Sequence, residues 1–139
     1  MQIFIPYSSP IETAKCLDKK RLNKQIIECQ QILNVFNGTS LAWKNHPIMK
    51  MYANNADWVE LYRDCLIEYK NGNIDEAVAK SMLVDQIKPA FLYNQALLDQ
   101  HKKRLYTKDQ NKYKQFESYG ISYENWYDIN DEVKIYRQK

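Results

Sequence analysis

The sequence predicts an all-α fold: a compact single-domain helical bundle over residues 1–139, with a short extended N-terminal arm and an irregular aromatic C-terminal tail. Three observations support this prediction. Apolar residues recur every three or four positions in several segments, which is the spacing of a helix face. Prolines and glycines separate these segments. The chain has 139 residues, 45% of them hydrophobic, which is enough for one core and too few for two ordinary domains.

The N-terminal part of the chain predicts an arm followed by a long helix. Residues 2–5 are expected to form a short strand or an extended arm, which Pro6 ends. Residues 9–12 predict a helix start, with Ser9 as N-cap and Glu12 completing a capping box. The helix is expected to continue to about Phe36, because its apolar residues are spaced four, three, four and three. Those residues are Leu22, Ile26, Cys29, Leu33 and Phe36.

Shorter helices are expected in the middle of the chain. Pro47 is predicted to open a brief helix, and residues 58–69 carry the next apolar stripe. Residues 74–87 predict a further helix. The residues of this helix expected to face the core are Ile74, Ala77, Met82 and Leu83.

The C-terminal part predicts one longer helix, one short basic helix and a tail. Residues 91–105 are expected to be helical, and residues 108–118 are expected to form the basic helix. After Gly120 the chain becomes aromatic and acidic. We expect an irregular tail that packs on the body, with a short strand at residues 133–136.

Composition excludes several functional classes. The chain has only three glycines, too few for a Rossmann or P-loop phosphate site. Its three cysteines are an odd number without a C-x-x-C pair, so we expect no disulfide framework, metal site or cofactor. No apolar run is long enough to span a bilayer, and the N-terminus lacks the basic start of a signal peptide. A cytoplasmic protein that does not contact membranes is therefore expected.

Positive charge is concentrated in residues 101–115. This segment holds six basic residues and one acidic residue, a net charge of +5, whereas the whole chain has a net charge of only +3. Basic residues neutralise phosphates, and the aromatic residues between them can stack on bases. The segment predicts either a nucleic-acid surface or an ordinary solvated basic helix. The predicted nucleic-acid contacts are Lys102, Lys103, Arg104, Lys108, Lys112 and Lys114.

A row of polar residues lies beside the apolar stripe of the first helix. Asp18, Arg21, Gln25 and Glu28 are spaced three, four and three, so they share one helix face. Charges that are partly buried there need partners. One interpretation is a structural ion-pair row, from Asp18 to Arg21 to Glu28. The other is a cleft in which Glu28 titrates and Arg21 or Lys24 binds an anion.

Residues 43–47 place a tryptophan, an amide and an imidazole within one turn. Trp43, Asn45 and His46 either form a helix entrance or contribute to a site, since loops on a rigid scaffold often carry function. Because this turn follows the first helix closely, we predict that Arg21, Gln25, Glu28 and His46 converge on one concave site.

The motifs together resemble a known family. Residues 17–28 contain Leu-Asp, Arg-Leu, Lys-Gln and Glu in order, followed by Trp43, residues 45–47, Met51 and His101. In order and spacing, over about residues 1–117, they resemble short bacterial and phage proteins grouped with the pyrimidine-dimer DNA glycosylases of the endonuclease V type.

This resemblance implies a helical fold, a DNA partner and an amine nucleophile. In the characterised glycosylases the α-amine of an N-terminal threonine attacks the sugar carbon, a glutamate on the first long helix assists, and arginines hold the DNA. The present sequence has Gln2 where a threonine would be exposed. The amine would then belong to Met1 or to Lys24, and Glu28 is the nearest candidate for the glutamate.

The function predicted from these features is DNA repair at damaged or modified bases, through a glycosylase with abasic-site lyase activity. The alternatives are an enzyme acting on a nucleotide or nucleoside derivative and a non-catalytic phage-type interaction protein. The predicted catalytic residues are Met1, Lys24, Glu28 and His46. The predicted substrate contacts are Arg21, Gln25, Trp43, Asn45 and His101.

Overall fold

A computed structural model describes residues 2–125 and confirms the all-α fold class. Six α-helices follow one another in this part of the chain, and residues 2–125 contain no β-strand. They are α1 (Pro10–Cys16), α2 (Lys19–Phe36), α3 (Pro47–Met51), α4 (Ala56–Lys70), α5 (Ile74–Gln86) and α6 (Gln95–Lys108). Two short 3-10 helices lie at Ala90–Tyr93 and Lys114–Tyr119. Among the described helices, none is long and apolar enough to cross a membrane.

Helix α4 lies at the centre of the bundle and packs against α1, α2 and α5. Its Trp58 stacks on Tyr62 of the same helix, with ring centroids 4.9 Å apart, and on Tyr52 after α3, at 5.6 Å. All three rings are almost fully buried, as are Cys29 and Ile32 of α2. Large aromatic side chains therefore supply much of the apolar area that stabilises the fold.

The prediction of one continuous helix to Phe36 is wrong, because the chain breaks between α1 and α2. Leu17 and Asp18 have extended backbones, and Asp18 occupies the N-cap position of α2. The break is held from the C-terminal part of the chain. The Tyr113 hydroxyl donates to the Asp18 carboxylate and accepts from the Asp18 backbone N–H. These hydrogen bonds join residues that are 95 positions apart in the sequence. The pattern of neighbouring residues therefore could not predict the break.

The N-terminal arm is extended but pairs with no strand within residues 2–125. Ile3 and Ile5 are buried, so the backbone groups around them need hydrogen-bond partners inside the protein. Side chains provide them. Gln25 of α2 accepts from the Phe4 N–H, and His101 Nδ1 of α6 accepts from the Ile5 N–H at 2.8 Å. The arm is therefore fixed between α2 and α6.

His101 is expected to make the stability of the protein depend on pH. Burial lowers the pKa of His101 to about 3, whereas an unfolded histidine titrates near about 6.5. The neutral form that accepts from Ile5 therefore stabilises the fold fully above the unfolded pKa, and this contribution is lost as the pH falls towards the folded pKa. His101→Gln keeps an acceptor and does not titrate. Between pH 6 and pH 4 the melting temperature should fall less for this variant than for the wild type, and equal falls would contradict the assignment.

Helix α5 is present where predicted, but the face assigned to its core is largely wrong. Ala77 and Val84 are fully buried, whereas Ile74, Met82 and Leu83 are exposed. The buried face of α5 carries small or polar side chains, because the neighbouring helices approach it closely and hydrogen-bond to it. The Ser81 hydroxyl accepts from the Ile11 backbone N–H of α1, and the Ala77 carbonyl accepts from the Cys65 thiol of α4. Apolar periodicity alone could not identify this face.

Two other local predictions need correction. The Ser9 side chain makes no capping hydrogen bond, so the capping box predicted with Glu12 does not form. Of the basic helix predicted at residues 108–118, only a 3-10 helix at Lys114–Tyr119 forms. Helix α6 continues to Lys108, and the Asp109 carboxylate then accepts from two following backbone N–H groups and turns the chain. The strand predicted at residues 133–136 lies outside the described residues.

Candidate functional site

A cavity of about 150 Å³ opens between the N-terminal arm, α2 and α6. The arm forms one wall because α2 and α6 hold it from both sides. Residues four positions apart on a helix lie on the same face, so α2 and α6 each present a polar row to the cavity. The lining residues are Gln2, Phe4, Arg21, Lys24, Gln25, Glu28, Arg104, Lys108 and Asn125.

Glu28 is the acidic residue of this lining, and it is only 9% exposed. One carboxylate oxygen, Oε2, accepts from the Gln2 backbone N–H and from Gln25 Nε2, each at 3.3 Å. Burial raises the pKa of Glu28, and the Gln2 N–H and the charges of Lys24 and Lys108 oppose that effect. A buried carboxyl with a raised pKa that faces a cavity is suited to proton transfer.

The structural ion-pair row that was one interpretation of the α2 polar residues does not form. Arg21 makes no direct ion pair with Asp18 or Glu28 within the described part of the chain. Asp18 is instead bound by Tyr113 and by Lys112, whose Nζ lies 3.4 Å from the carboxylate. Arg21 and Glu28 both line the cavity, which favours the cleft interpretation of this row.

Gln25 is a positioning residue of the site. It is 2% exposed, and both ends of its amide bind the arm. Its Nε2 donates to the Gln2 carbonyl at 3.0 Å and to Glu28, while its Oε1 accepts from the Phe4 N–H. These contacts keep the Gln2 N–H directed at the Glu28 carboxylate.

Four cations line the same cavity as the Glu28 carboxylate. Arg21 and Lys24 come from α2, and Arg104 and Lys108 come from the last turns of α6. Burial lowers the pKa of Lys108, and the charges of Arg104, Arg21 and Lys24 lower it further. Lys108 therefore lies within electrostatic range of the other three cations of the lining. A site with such an excess of positive charge is suited to an anion.

Arg104 has an unused donor in this position. Its Nη1 donates to the Ser122 carbonyl at 3.3 Å, whereas its Nε is buried without a hydrogen-bond acceptor in residues 2–125. A buried donor without a partner is costly. A bound phosphate oxygen would be a suitable acceptor.

Two residues predicted to contact substrate or DNA are buried in structural roles. His101 is 3% exposed and binds the arm, so it does not face the cavity. Lys102 is 7% exposed, and its Nζ lies 5.2 Å from the Tyr7 ring and 4.8 Å from the Tyr119 ring. Lys102 also pairs with Asp99 at 3.5 Å. The Lys102 ammonium group therefore interacts with side chains of the protein itself, and this is a structural role.

The structure does not bring the Trp43 turn to this cavity. The cavity lining formed by described residues includes neither Trp43, Asn45 nor His46. His46 is instead the N-cap of α3, where its Nδ1 accepts from the Ile48 N–H at 3.1 Å. Trp43 and Asn45 are exposed on the preceding loop. The predicted convergence of His46 with Arg21, Gln25 and Glu28 is therefore wrong.

The remaining predicted DNA contacts, Lys103, Lys112 and Lys114, do not line the cavity. Lys103 is partly buried on α6, Lys112 pairs with Asp18, and Lys114 is exposed. Met1 lies outside the described residues, but it is bonded to Gln2, whose N–H contacts Glu28.

Gln2, Phe4 and Asn125 line the cavity but were not among the site residues predicted from the sequence. The sequence did carry one signal, because isoleucines alternate in the arm. Where both isoleucines are buried, the backbone N–H groups around them need hydrogen-bond acceptors inside the protein.

Among the described residues, no group of three or more histidine, cysteine, aspartate or glutamate side chains is placed to hold a metal ion.

Comparison with known proteins gives one match. A model of the family described as pyrimidine dimer DNA glycosylase matches residues 1–71, just over half of the chain. The matched part contains the arm and helices α1 to α4, and so includes Arg21, Lys24, Gln25 and Glu28. The chain matches no curated protein and no solved structure significantly.

Proposed function

Because the chain belongs to the pyrimidine dimer DNA glycosylase family, we propose that it removes a damaged base from DNA and then cleaves the strand at the abasic site. The observation that carries this proposal is the cavity that four cations line together with one buried carboxylate. The cations suit the phosphates on both sides of a nucleotide, and the carboxylate suits proton transfer at its sugar.

The size of the cavity fits one ring of a nucleotide, either its sugar or its pyrimidine base. A protein cavity of about 150 Å³ can hold a benzene-sized ring, so a sugar or a single pyrimidine ring fits, whereas a stacked base pair does not. An enzyme that acts on a nucleotide in such a space must first take it out of the helix. Phe4 lines the same cavity, and its ring lies 5.7 Å from the Lys108 Nζ.

The proposed reaction begins with an unprotonated amine. Its nitrogen forms a bond to C1′ of the sugar as the C1′–N bond to the base breaks, and the base leaves with the electron pair and takes up a proton. One N–H proton of the attached amine then moves to O4′ as the C1′–O4′ bond breaks, so the sugar ring opens and an iminium forms between C1′ and the nitrogen. Removal of a C2′ proton then expels the 3′ phosphate and cleaves the strand. Glu28 would accept this proton and stabilise the positive charge of the iminium.

Three amines are candidates for the nucleophile. The α-amine of Met1, if free, would be attached directly to the residue whose N–H contacts Glu28. An α-amine has a pKa near 8, so an appreciable fraction is unprotonated at pH 7. Lys24 and Lys108 also line the cavity, and the lowered pKa of Lys108 favours its unprotonated form.

A strand-cleavage assay tests the proposed function. End-labelled duplexes would contain one thymine dimer, one abasic site or no lesion. We expect cleavage of both damaged duplexes and none of the undamaged one. Cleavage of the abasic duplex alone would limit the activity to the lyase step. A folded protein that cleaves none of them, and that acts on a nucleoside derivative instead, would contradict the proposal.

A further inference from the structure

The exposed loop before α3 carries a tryptophan with an unusual backbone. Trp43 has φ of 66°, in the left-handed region that bulky residues rarely adopt. Two successive turns hold it there. The Lys44 N–H donates to the Leu41 carbonyl at 3.3 Å, and the His46 N–H donates to the Trp43 carbonyl at 2.9 Å. Strained residues of this kind cluster at functional positions.

The Trp43 ring is oriented and still accessible. It meets the His46 ring edge to face, with centroids 5.8 Å apart. His46 is in turn fixed as the N-cap of α3. The side chain remains 52% exposed, so one surface of the indole is free to contact a partner. An aromatic group that is already positioned loses little conformational entropy when it binds.

The charge around this loop favours a polyanion over a protein partner of mixed charge. The sequence has no acidic residue between Glu28 and Asp57, whereas Lys44 and Lys50 lie on either side of the helix start. Lys44 is exposed next to Trp43. An exposed aromatic ring next to a lysine, in a segment of sequence without carboxylates, suits stacking on an unpaired base and contact with the adjoining phosphate.

We propose that Trp43 is a stacking platform for an unpaired base of bound DNA, on a loop separate from the cavity at Glu28. This inference rests on the proposed function, because a DNA partner is required. The cavity would hold the nucleotide that reacts, and the Trp43 loop would bind a base that has lost its pairing partner. Stacking does not depend on base identity, so this contact would add affinity without sequence preference.

Binding of a short oligothymidine strand tests the inference. Trp43→Asn removes the ring but keeps a residue that tolerates the left-handed backbone. The loss of one contact between a base and an aromatic ring weakens binding by roughly 5- to 100-fold. We expect Trp43→Asn to weaken oligothymidine binding by this factor. The salt dependence of binding should stay the same, because Trp43 neutralises no phosphate. Trp43→Phe should restore most of the affinity. The matched control is Leu41→Asn, which removes an apolar side chain that is 78% exposed from the same loop and should bind as the wild type does.

Fluorescence gives an independent readout. Trp58 is buried, so a Trp126→Phe background leaves Trp43 as the accessible indole, and oligothymidine should quench it. Wild-type affinity in Trp43→Asn, or unchanged fluorescence at saturation, would overturn the inference. Loss of self-association in Trp43→Asn with unchanged DNA affinity would assign the loop to a protein contact and also overturn it. If the wild type cleaves damaged duplexes while Trp43→Asn keeps full affinity, only this inference fails; if the wild type binds no DNA, the proposed function fails with it.

Discussion

Glu28→Gln is expected to reduce strand cleavage by roughly 100- to 10,000-fold, the usual contribution of a general acid or base. Glutamine keeps an oxygen that can accept from the Gln2 N–H and from Gln25, so the wall of the cavity should be preserved. It cannot exchange a proton or stabilise an iminium as a carboxylate does. In the wild type, activity should fall as the pH drops through the pKa of Glu28, which burial raises above the usual glutamate range.

The same variant should not be less stable at neutral pH. Because the folded pKa of Glu28 is raised, the folded state binds the proton more tightly than the unfolded state does. Stability therefore decreases as the pH rises from the unfolded to the folded pKa, and the buried charge destabilises the protein above that range. Glutamine carries no such charge, so the melting temperature should be equal or higher at pH 7.

Measuring both the melting temperature and the strand cleavage of Glu28→Gln shows whether Glu28 has a catalytic or a structural role. The control is Glu12→Gln, because Glu12 is exposed and makes only a surface pair with Lys15, and this variant should retain both properties. A fall of several degrees in the melting temperature of Glu28→Gln, with cleavage retained, would mean that the carboxylate is structural.

Removing the two α6 cations of the cavity is expected to have the next largest effect. Arg104→Gln and Lys108→Gln should each weaken duplex binding by roughly 10- to 100-fold, the range for hydrogen bonds to charged groups. Each lost phosphate contact should also flatten the dependence of log affinity on log salt by about 0.9. Both effects follow from the unused Arg104 Nε donor and from the crowding of positive charge at Lys108.

For the double variant Arg104→Gln/Lys108→Gln, the matched control is a double variant at two distant lysines. Lys70 of α4 and Lys80 of α5 do not line the cavity, and their replacement by glutamine removes the same net charge. Binding titrations at several salt concentrations should show a slope reduced by about 1.8 for the α6 pair, if both residues contact phosphate. If the two double variants have the same affinity and slope, the binding is a general charge effect and the cavity is not the phosphate site.

Local patterns in the sequence predicted more of the helices than of their arrangement. The apolar stripe of α2 and the polar row of Arg21, Gln25 and Glu28 are periodic features, and the structure places that row on the cavity. The break at Asp18 depends on Tyr113, which is distant in sequence. A hydrogen bond between such distant residues leaves no trace in local periodicity.

Residues that were predicted to act together because they lie in one basic segment differ in their burial and direction. Arg104 and Lys108 line the cavity, whereas Lys102, in the same basic segment, turns inward between Tyr7 and Tyr119. Residues two and six positions apart on a helix point in different directions, but which direction faces the interior depends on the whole fold. The position of His46 away from Glu28 has the same cause, since chain proximity does not determine packing.

The most direct test of the central claim is trapping with borohydride on duplexes that contain an abasic site or a thymine dimer. Borohydride reduces an iminium between the protein and the sugar to a stable amine, and mass spectrometry then identifies the modified residue. We predict a covalent adduct at Lys24 or Lys108, which line the cavity, or at the α-amine of Met1, which is bonded to the lining residue Gln2. The absence of any adduct while the protein is folded and binds DNA, or an adduct at a lysine outside the cavity, would contradict the account.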